Sequence, residues 1–385
     1  MKKYILSLLI FTCFYGHSQK PLLTENFLDQ KQWVDSVYSS MNIDQKIGQL
    51  FTVWVATKYG DDEIKHISKL IKDHHLGGLI FSLGNIKDQA KAINKFQEIS
   101  KVPLLISMDA EWGIGMRLDD AFSFPYNMTL GAIKNDSLVY KVGKRIGYHA
   151  KRLGVHINFA PVVDINTNPR NPIIGSRSFG EDKFNVANKG ISYLKGMHEY
   201  GIMGAAKHFP GHGDTETDSH KTLPTISFDK DRINDVELYP FKKLIENNLD
   251  GIMTAHLNIP NLDKKEISTL SQKVINNLLV NDLGFEGLVI TDALDMKAIV
   301  DFSKGDYPDI TALNAGNDLL LMPTDVAKSI KEIKKAYQKN KISPQRLESA
   351  VKKILYAKYK AGLSDLKPIE TVSYTHLTLP TILLV

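Results

Sequence analysis

From about residue 47 onward, short apolar runs alternate with amphipathic stretches. The runs at 49–56, 76–82, 103–108, 155–163, 202–207, 251–256, 287–291 and 318–322 read as strands. Between them, segments such as 62–74, 86–100, 136–153, 183–200, 231–247 and 271–283 repeat apolar residues at three- and four-residue spacing, the period of a helix. Alternating β and α segments with near-continuous apolar strands predict a parallel sheet covered by helices, an α/β protein. Eight strands suit a TIM-type (β/α)8 barrel, although a doubly wound open sheet would give the same alternation.

The placement of polar residues separates the two. Asp109 and Glu111, Asp164, Lys207 and His208, His256, and Asp292 all fall just after predicted strand ends. A barrel builds its site from the C-terminal ends of many strands, whereas an open sheet concentrates it at one switch point. Polar residues after at least five strands favour the barrel.

Composition changes little in this picture. The chain has 385 residues, 43% of them hydrophobic and 24% charged, which describes an ordinary globular protein. Its formal charge of +5 is small, and Lys is offset by Asp and Glu along most of the chain, so nucleic acid is not an expected partner. Residues 1–18 read as a secretion signal: Lys2 and Lys3, then an apolar run over 4–15 too short to span a bilayer well. Export to the periplasm or beyond follows as an expectation, with no stable membrane insertion after cleavage. Cys13 is the only cysteine, and Phe11 and Thr12 before it suit a lipid-attachment site badly. The helical pattern at 344–359 closes the folded region, placed at 30–365. Residues 372–385 change character, resemble translated adaptor sequence and are assigned no role.

The most informative stretch is Lys207-His208-Phe209-Pro210-Gly211-His212-Gly213-Asp214-Thr215-Glu216-Thr217-Asp218-Ser219-His220-Lys221. So many ionisable groups directly after a buried strand have no packing rationale. Metal binding by His208, His212 and His220 is one reading, but their spacing fits neither His-x-x-x-His with a following Glu nor a Cys/His cluster. Asp218, two residues before His220, instead suggests a carboxylate orienting an imidazole for acid/base work. A second element, Gly287 through Met296, carries an apolar strand to Asp292. Such an Asp either caps the next helix or serves as a strand-end nucleophile.

The run Lys-His-Phe-Pro-Gly-His-Gly followed by Asp-Ser-His resembles the signature loop of the β-N-acetylglucosaminidase branch of family 3 glycoside hydrolases. The resemblance implies His220 as general acid/base, Asp218 as its orienting partner, and Asp292, in Val-Ile-Thr-Asp, as nucleophile; Asp295 is the less favoured neighbour. It also implies sugar contacts from Asp109, Arg117, Arg177, Lys207 and His208. An Arg fork and a carboxylate suit bidentate bonding to vicinal hydroxyls. The expected activity is retaining hydrolysis of terminal β-linked N-acetylglucosamine, from peptidoglycan fragments or chito-oligosaccharides, with no metal or organic cofactor. Two features depart from the common pattern: Trp112 stands where Gly follows Asp-x-Glu, and Thr291-Asp292-Ala293 where Ser-Asp-Asp is frequent. Both resemble longer, exported relatives. The alternatives are a β-glucosidase or a β-N-acetylglucosaminide phosphorylase of the same family and, from another class, a non-catalytic sugar-binding barrel.

Overall fold

In the computed structural model, which describes residues 20–218, 222–303 and 307–370, all eight apolar runs contribute a parallel strand. They are β1 (Phe51–Ala56), β2 (Gly78–Ser82), β3 (Leu105–Met108), β4 (Ile157–Asn158), β5 (Met203–Phe209), β6 (Gly251–Thr254), β7 (Leu288–Thr291) and β8 (Leu320–Leu321). The strands pair in the order β7-β6-β5-β4-β3-β2-β1-β8. A parallel bridge between Ile290 and Leu319 then joins the two ends, giving a (β/α)8 barrel. β2, β3, β5, β6 and β7 are buried along their whole length, as strands filled from inside and covered by helices outside must be. The leader-like residues 1–18, with Cys13, and the tail 372–385 lie outside the described residues.

β4 is much shorter than the run at 155–163 foresees. Pro161 has no N–H to offer the ladder, and pairing resumes only as a bridge from Val162 to Lys207. Helices Gly60–His74, Ile86–Ile99, Asp136–Arg152, Lys183–His198 and Pro344–Lys360 fall within two residues of the sequence pattern. The stretch 231–247 is broken instead into a π-helical turn, Ile233–Glu237, and the helix Tyr239–Ile245. Pro240 cannot supply the next amide of an α-ladder, and Leu238 N donates to Ile233 O at 2.9 Å. The segment foreseen at 271–283 is likewise wound as a π-helix, Lys273–Asp282.

Packing of the outer layer is tight where small residues permit it. A Cβ on Gly143 would lie 2.2 Å from the Tyr193 carbonyl, and one on Gly196 2.2 Å from that of Tyr140. Helices Asp136–Arg152 and Lys183–His198 therefore cross backbone against side-chain-free backbone, and a methyl at either position would separate them.

The N-terminal ends of the strands carry charges of a different kind. Asp250, just before β6, is fully buried and accepts from His198 Nε2 (2.6 Å), Lys360 Nζ (2.6 Å) and Gly204 N (2.9 Å). Asp318, before β8, is held by Arg346 Nη2 (2.6 Å) and Lys353 Nζ (3.1 Å). These carboxylates tie helices to the sheet at the face that serves stability in this fold. No helix among the described residues is long and apolar enough to cross a membrane.

Candidate active site

At the C-terminal mouth the sequence breaks the strand period to useful effect. β5 pairs with β6 through Ala206↔Ile252 and Phe209↔Thr254, so three steps on one strand match two on the other. The extra residue is a bulge at Lys207-His208. In an unbroken strand these neighbours would face opposite sides of the sheet; here both line one cavity of about 550 Å3. Asp109, Arg117, Arg177 and Asp292 line it too, so six of the eight residues singled out in the sequence meet in one place.

The wall built by β3, β5 and the loop after β4 is a connected ion cluster. Lys207 Nζ reaches Asp109 Oδ1 at 2.7 Å and Glu111 Oε1 at 2.8 Å. Arg117 donates through Nη2 to Asp109 Oδ2 (2.8 Å) and through Nε to its carbonyl (3.2 Å). Arg177 forks onto Glu111, with Nε to Oε2 at 2.9 Å and Nη2 to Oε1 at 2.7 Å. Burial alone would raise both carboxyls, yet the facing Lys and Arg charges hold Asp109 and Glu111 below their ordinary values. Burial likewise works against the Lys207 charge, and Asp109 and Glu111 more than reverse it. The cluster is therefore ionised and fixed in geometry, as pre-organised recognition of hydroxyl groups requires.

Asp292 follows β7 on the opposite side of the barrel from β3. Its backbone N donates to Thr254 O (3.0 Å), and its Oδ1 accepts from Ala293 N (2.9 Å). Burial again pushes this carboxyl up, but the rings of His208 and His256, the Ala293 amide and Lys207 outweigh it and keep the group below its usual range. A strand-end carboxylate kept charged inside a cavity has the character of a nucleophile or a charge stabiliser.

The loop beyond β5 is anchored at its root. Asp164, fully buried after β4, accepts from His208 Nδ1 (2.7 Å), from His208 N (3.1 Å) and from His212 N (2.7 Å). Burial and neighbouring His208 drive His212 down to about 4, so its ring is neutral near pH 7. Asn171 holds the His212 carbonyl (2.8 Å), and Arg232 reaches Asp214 (3.4 Å). Gly213 passes so close to Ile165 that a Cβ would lie 1.8 Å from its carbonyl oxygen. Asp218 is half-buried farther along the loop and is not among the cavity-lining residues. His220 lies outside the described residues.

Among the described residues no group of three or more His, Cys, Asp or Glu side chains could hold a metal ion. The sequence reading passed over three contributors as site residues. Glu111 is the hub of the ion cluster, Asp164 organises two histidines, and His256 sits behind Asp292. The signal for each was its position just after a strand end. Trp112 also lines the cavity and packs edge-on against Tyr126, with ring centroids 4.7 Å apart.

A parallel barrel whose mouth joins a charged strand-end Asp to paired Arg and carboxylate forks falls in the class of barrel glycoside hydrolases. The comparison with known families agrees: residues 42–357 match the model of the glycosyl hydrolase family 3 N-terminal domain. The chain belongs to that family. It is 33% identical over 382 residues to β-hexosaminidase A of Pseudoalteromonas piscicida, a match covering 90% of this chain and 63% of that protein. The structure of a family 3 β-N-acetylglucosaminidase from Paenibacillus sp. str. FPU-7 superimposes with a TM-score of 0.81 at 35% identity, covering 86% of this chain and 65% of that one. A β-glucoside phosphorylase, BglX, bound to 2FGlc, superimposes with a TM-score of 0.87 at 25% identity, covering 94% and 66%. The chain thus spans less than two thirds of the length of each of these three proteins.

Proposed function

We propose that this chain is the catalytic barrel of an exported, retaining exo-β-N-acetylglucosaminidase. The observation that carries the reading is Asp292, a carboxylate kept charged in a cavity whose far wall offers pre-formed hydrogen-bonding forks. Asp109, Arg117, Arg177, Lys207 and His208 hold the hydroxyls of the terminal sugar. Asp292 attacks the anomeric carbon as the bond to the leaving oxygen breaks, and His220, oriented by Asp218, gives that oxygen its proton. Water then attacks the same carbon, passes its proton to His220 and releases Asp292, so configuration is retained. The names of the β-hexosaminidase and β-N-acetylglucosaminidase relatives support N-acetylglucosamine as the sugar. Peptidoglycan fragments and chito-oligosaccharides are the natural substrates that fit an exported enzyme, and the leader-like residues 1–18 support that location.

The test is azide trapping. Asp292→Gly should lose hydrolysis while staying folded and, given azide and an activated aryl β-glycoside, should yield the α-glycosyl azide. His220→Ala should yield the β-azide, because azide there attacks the enzyme-bound sugar. An Asp292→Gly protein that still hydrolyses at the wild-type rate would overturn the assignment.

A second reading, phosphorolysis, is favoured by the structural likeness to the β-glucoside phosphorylase. Once it has given its proton to the leaving oxygen, an imidazole is neutral and repels incoming phosphate less than a carboxylate would. Initial rates with and without phosphate, with assay for a sugar phosphate, decide between the two.

A further inference from the structure

β8 closes the barrel against β1 over only two residue pairs, Phe51↔Leu320 and Thr52↔Leu321. One more bond follows, from Met322 N to Thr52 O at 2.9 Å. Met322 then takes a left-handed turn (φ 49°), and Pro323 has no N–H to continue the ladder. The chain leaves the barrel wall there, while β1 runs on to Ala56. Between the two lies a groove of about 360 Å3, flanked by the helices Gly60–His74 and Val326–Gln338. That volume is in the range of small-ligand sites.

The groove continues the candidate active site: Trp54, Asp295 and Met322 line both. Its remaining surface is largely apolar, with Val53, Leu70 and Val326 among the contributors. The half-buried Trp54 indole is braced by Tyr59, with ring centroids 6.1 Å apart. The charged side chains that line the groove are Asp295 and Asp325, with no Lys or Arg, and His66 is its other titratable group.

The direction of the substrate leads into this groove. In a pyranose the anomeric carbon lies across the ring from C4. A terminal sugar held by its hydroxyls on the wall from β3 to β5, with its anomeric carbon at Asp292, carries its leaving group on the side away from that wall. In the barrel β8 stands opposite β4, between β7 and β1. The open edge between β8 and β1 is therefore where the next sugar falls.

We propose that this groove is the subsite for the leaving-group residue and takes a neutral, N-acetylated pyranose with its apolar face on Trp54. The proposal rests on the glycosidase reading above and narrows its substrate class. A second sugar bearing a carboxylate, as a muramic acid residue does, meets like charge at Asp295 and Asp325, so chito-oligosaccharides are selected over peptidoglycan fragments.

Two donors separate the groove from the chemistry. N,N′-diacetylchitobiose places a second sugar in it, whereas β-N-acetylglucosaminyl fluoride loses only an ion. Trp54→Ala removes the platform, and Ala327→Trp fills the groove from the exposed first turn of its helix. Each should lower the ratio of kcat/KM for the disaccharide over the fluoride by about tenfold. At low salt the wild type should favour diacetylchitobiose about tenfold over the disaccharide with N-acetylmuramic acid in second place. That gap should narrow with added salt and in the double variant Asp295→Asn, Asp325→Asn, in which Asn still caps the Lys328 amide. An unchanged ratio in both Trp54→Ala and Ala327→Trp overturns the proposal, as does equal wild-type cleavage of the two disaccharides. Calorimetry on Asp292→Asn tests the groove without turnover: diacetylchitobiose should bind about tenfold tighter than N-acetylglucosamine, and adding Trp54→Ala should abolish the gain. If the wild type hydrolyses neither donor but this gain appears and is abolished, the glycosidase reading fails and the sugar subsite stands. Equal binding of the two sugars overturns the subsite.

Discussion

Glu111→Gln tests whether the ion cluster is one unit. Glu111 is fully buried and takes three charge-assisted hydrogen bonds, two from Arg177 and one from Lys207. The amide keeps the shape but turns one acceptor oxygen into a donor facing donors, and it removes the counter-charge of two cations. Breaking a buried ion pair from one side costs about 3–5 kcal/mol. Lys207 retains Asp109, and Arg177 retains the Ile173 carbonyl and a partly exposed edge. The lower end, about 3 kcal/mol, is therefore expected at pH 7.

The sign with pH follows from the carboxyl's environment. Burial would raise Glu111, but Lys207 and Arg177 hold it below the ordinary value of 4.5. Its contribution is fully present above that value and is lost as pH falls below it, where the unfolded chain takes up the proton first. Urea unfolding of both proteins should show a constant gap between pH 6 and 8 that narrows toward about pH 4. Activity should suffer more than stability: with Arg177 and Lys207 released from their common anchor, kcat/KM should fall on the order of 100-fold. A Glu111→Gln protein with wild-type urea midpoint and wild-type kcat/KM would refute the idea of a pre-organised cluster.

Two further outcomes follow from other parts of the barrel. Lys358 is fully buried, its Nζ 2.5 Å from the Gln49 amide oxygen, and burial lowers its pKa to about 7 from 10.5. The folded state then binds fewer protons than the unfolded one between those values, so wild-type stability rises with pH there. Lys358→Met should flatten the rise, the two urea-derived curves converging by roughly 2 kcal/mol between pH 7 and 9; parallel curves would show that Lys358 stays charged. Gly213→Ala should leave the circular dichroism spectrum unchanged while cutting kcat/KM about 100-fold, because the methyl cannot fit beside the Ile165 carbonyl and must displace the loop; wild-type turnover would show that the loop's course is irrelevant to catalysis.

The barrel was legible because each strand is a short apolar run bounded by polar residues, a signal that depends on local burial alone. Its irregularities were not. Pro161 and Pro240 announce an interruption, but only the three-dimensional neighbours decide whether it becomes a shortened strand or a π-turn. The candidate site divides in the same way. Asp109, Lys207 and Asp292 could be picked out at strand ends, yet alternation along β5 would have sent Lys207 and His208 to opposite faces, and the bulge reverses that. Asp164 meets His208 across 44 residues of sequence, and Arg177 meets Glu111 across 66. Long-range pairs of this kind carry no local pattern, so Glu111, Asp164 and His256 could be seen as polar positions but not as partners.

The charge balance of the cavity bears on the choice between water and phosphate as the second reactant. Lys207, Arg117 and Arg177 are all engaged by Asp109 and Glu111, and His208 by Asp164, so the cationic wall presents directed N–H groups already compensated by carboxylates. A neutral, polyhydroxylated ring can exchange water for those groups without disturbing an ion pair. A phosphate dianion would have to approach Asp292 while competing with Asp109 and Glu111 for the same cations, and like charges at such range repel strongly where water is scarce. Hydrolysis is favoured by this arrangement, and a phosphorylase built on it would need a further cation near Asp292.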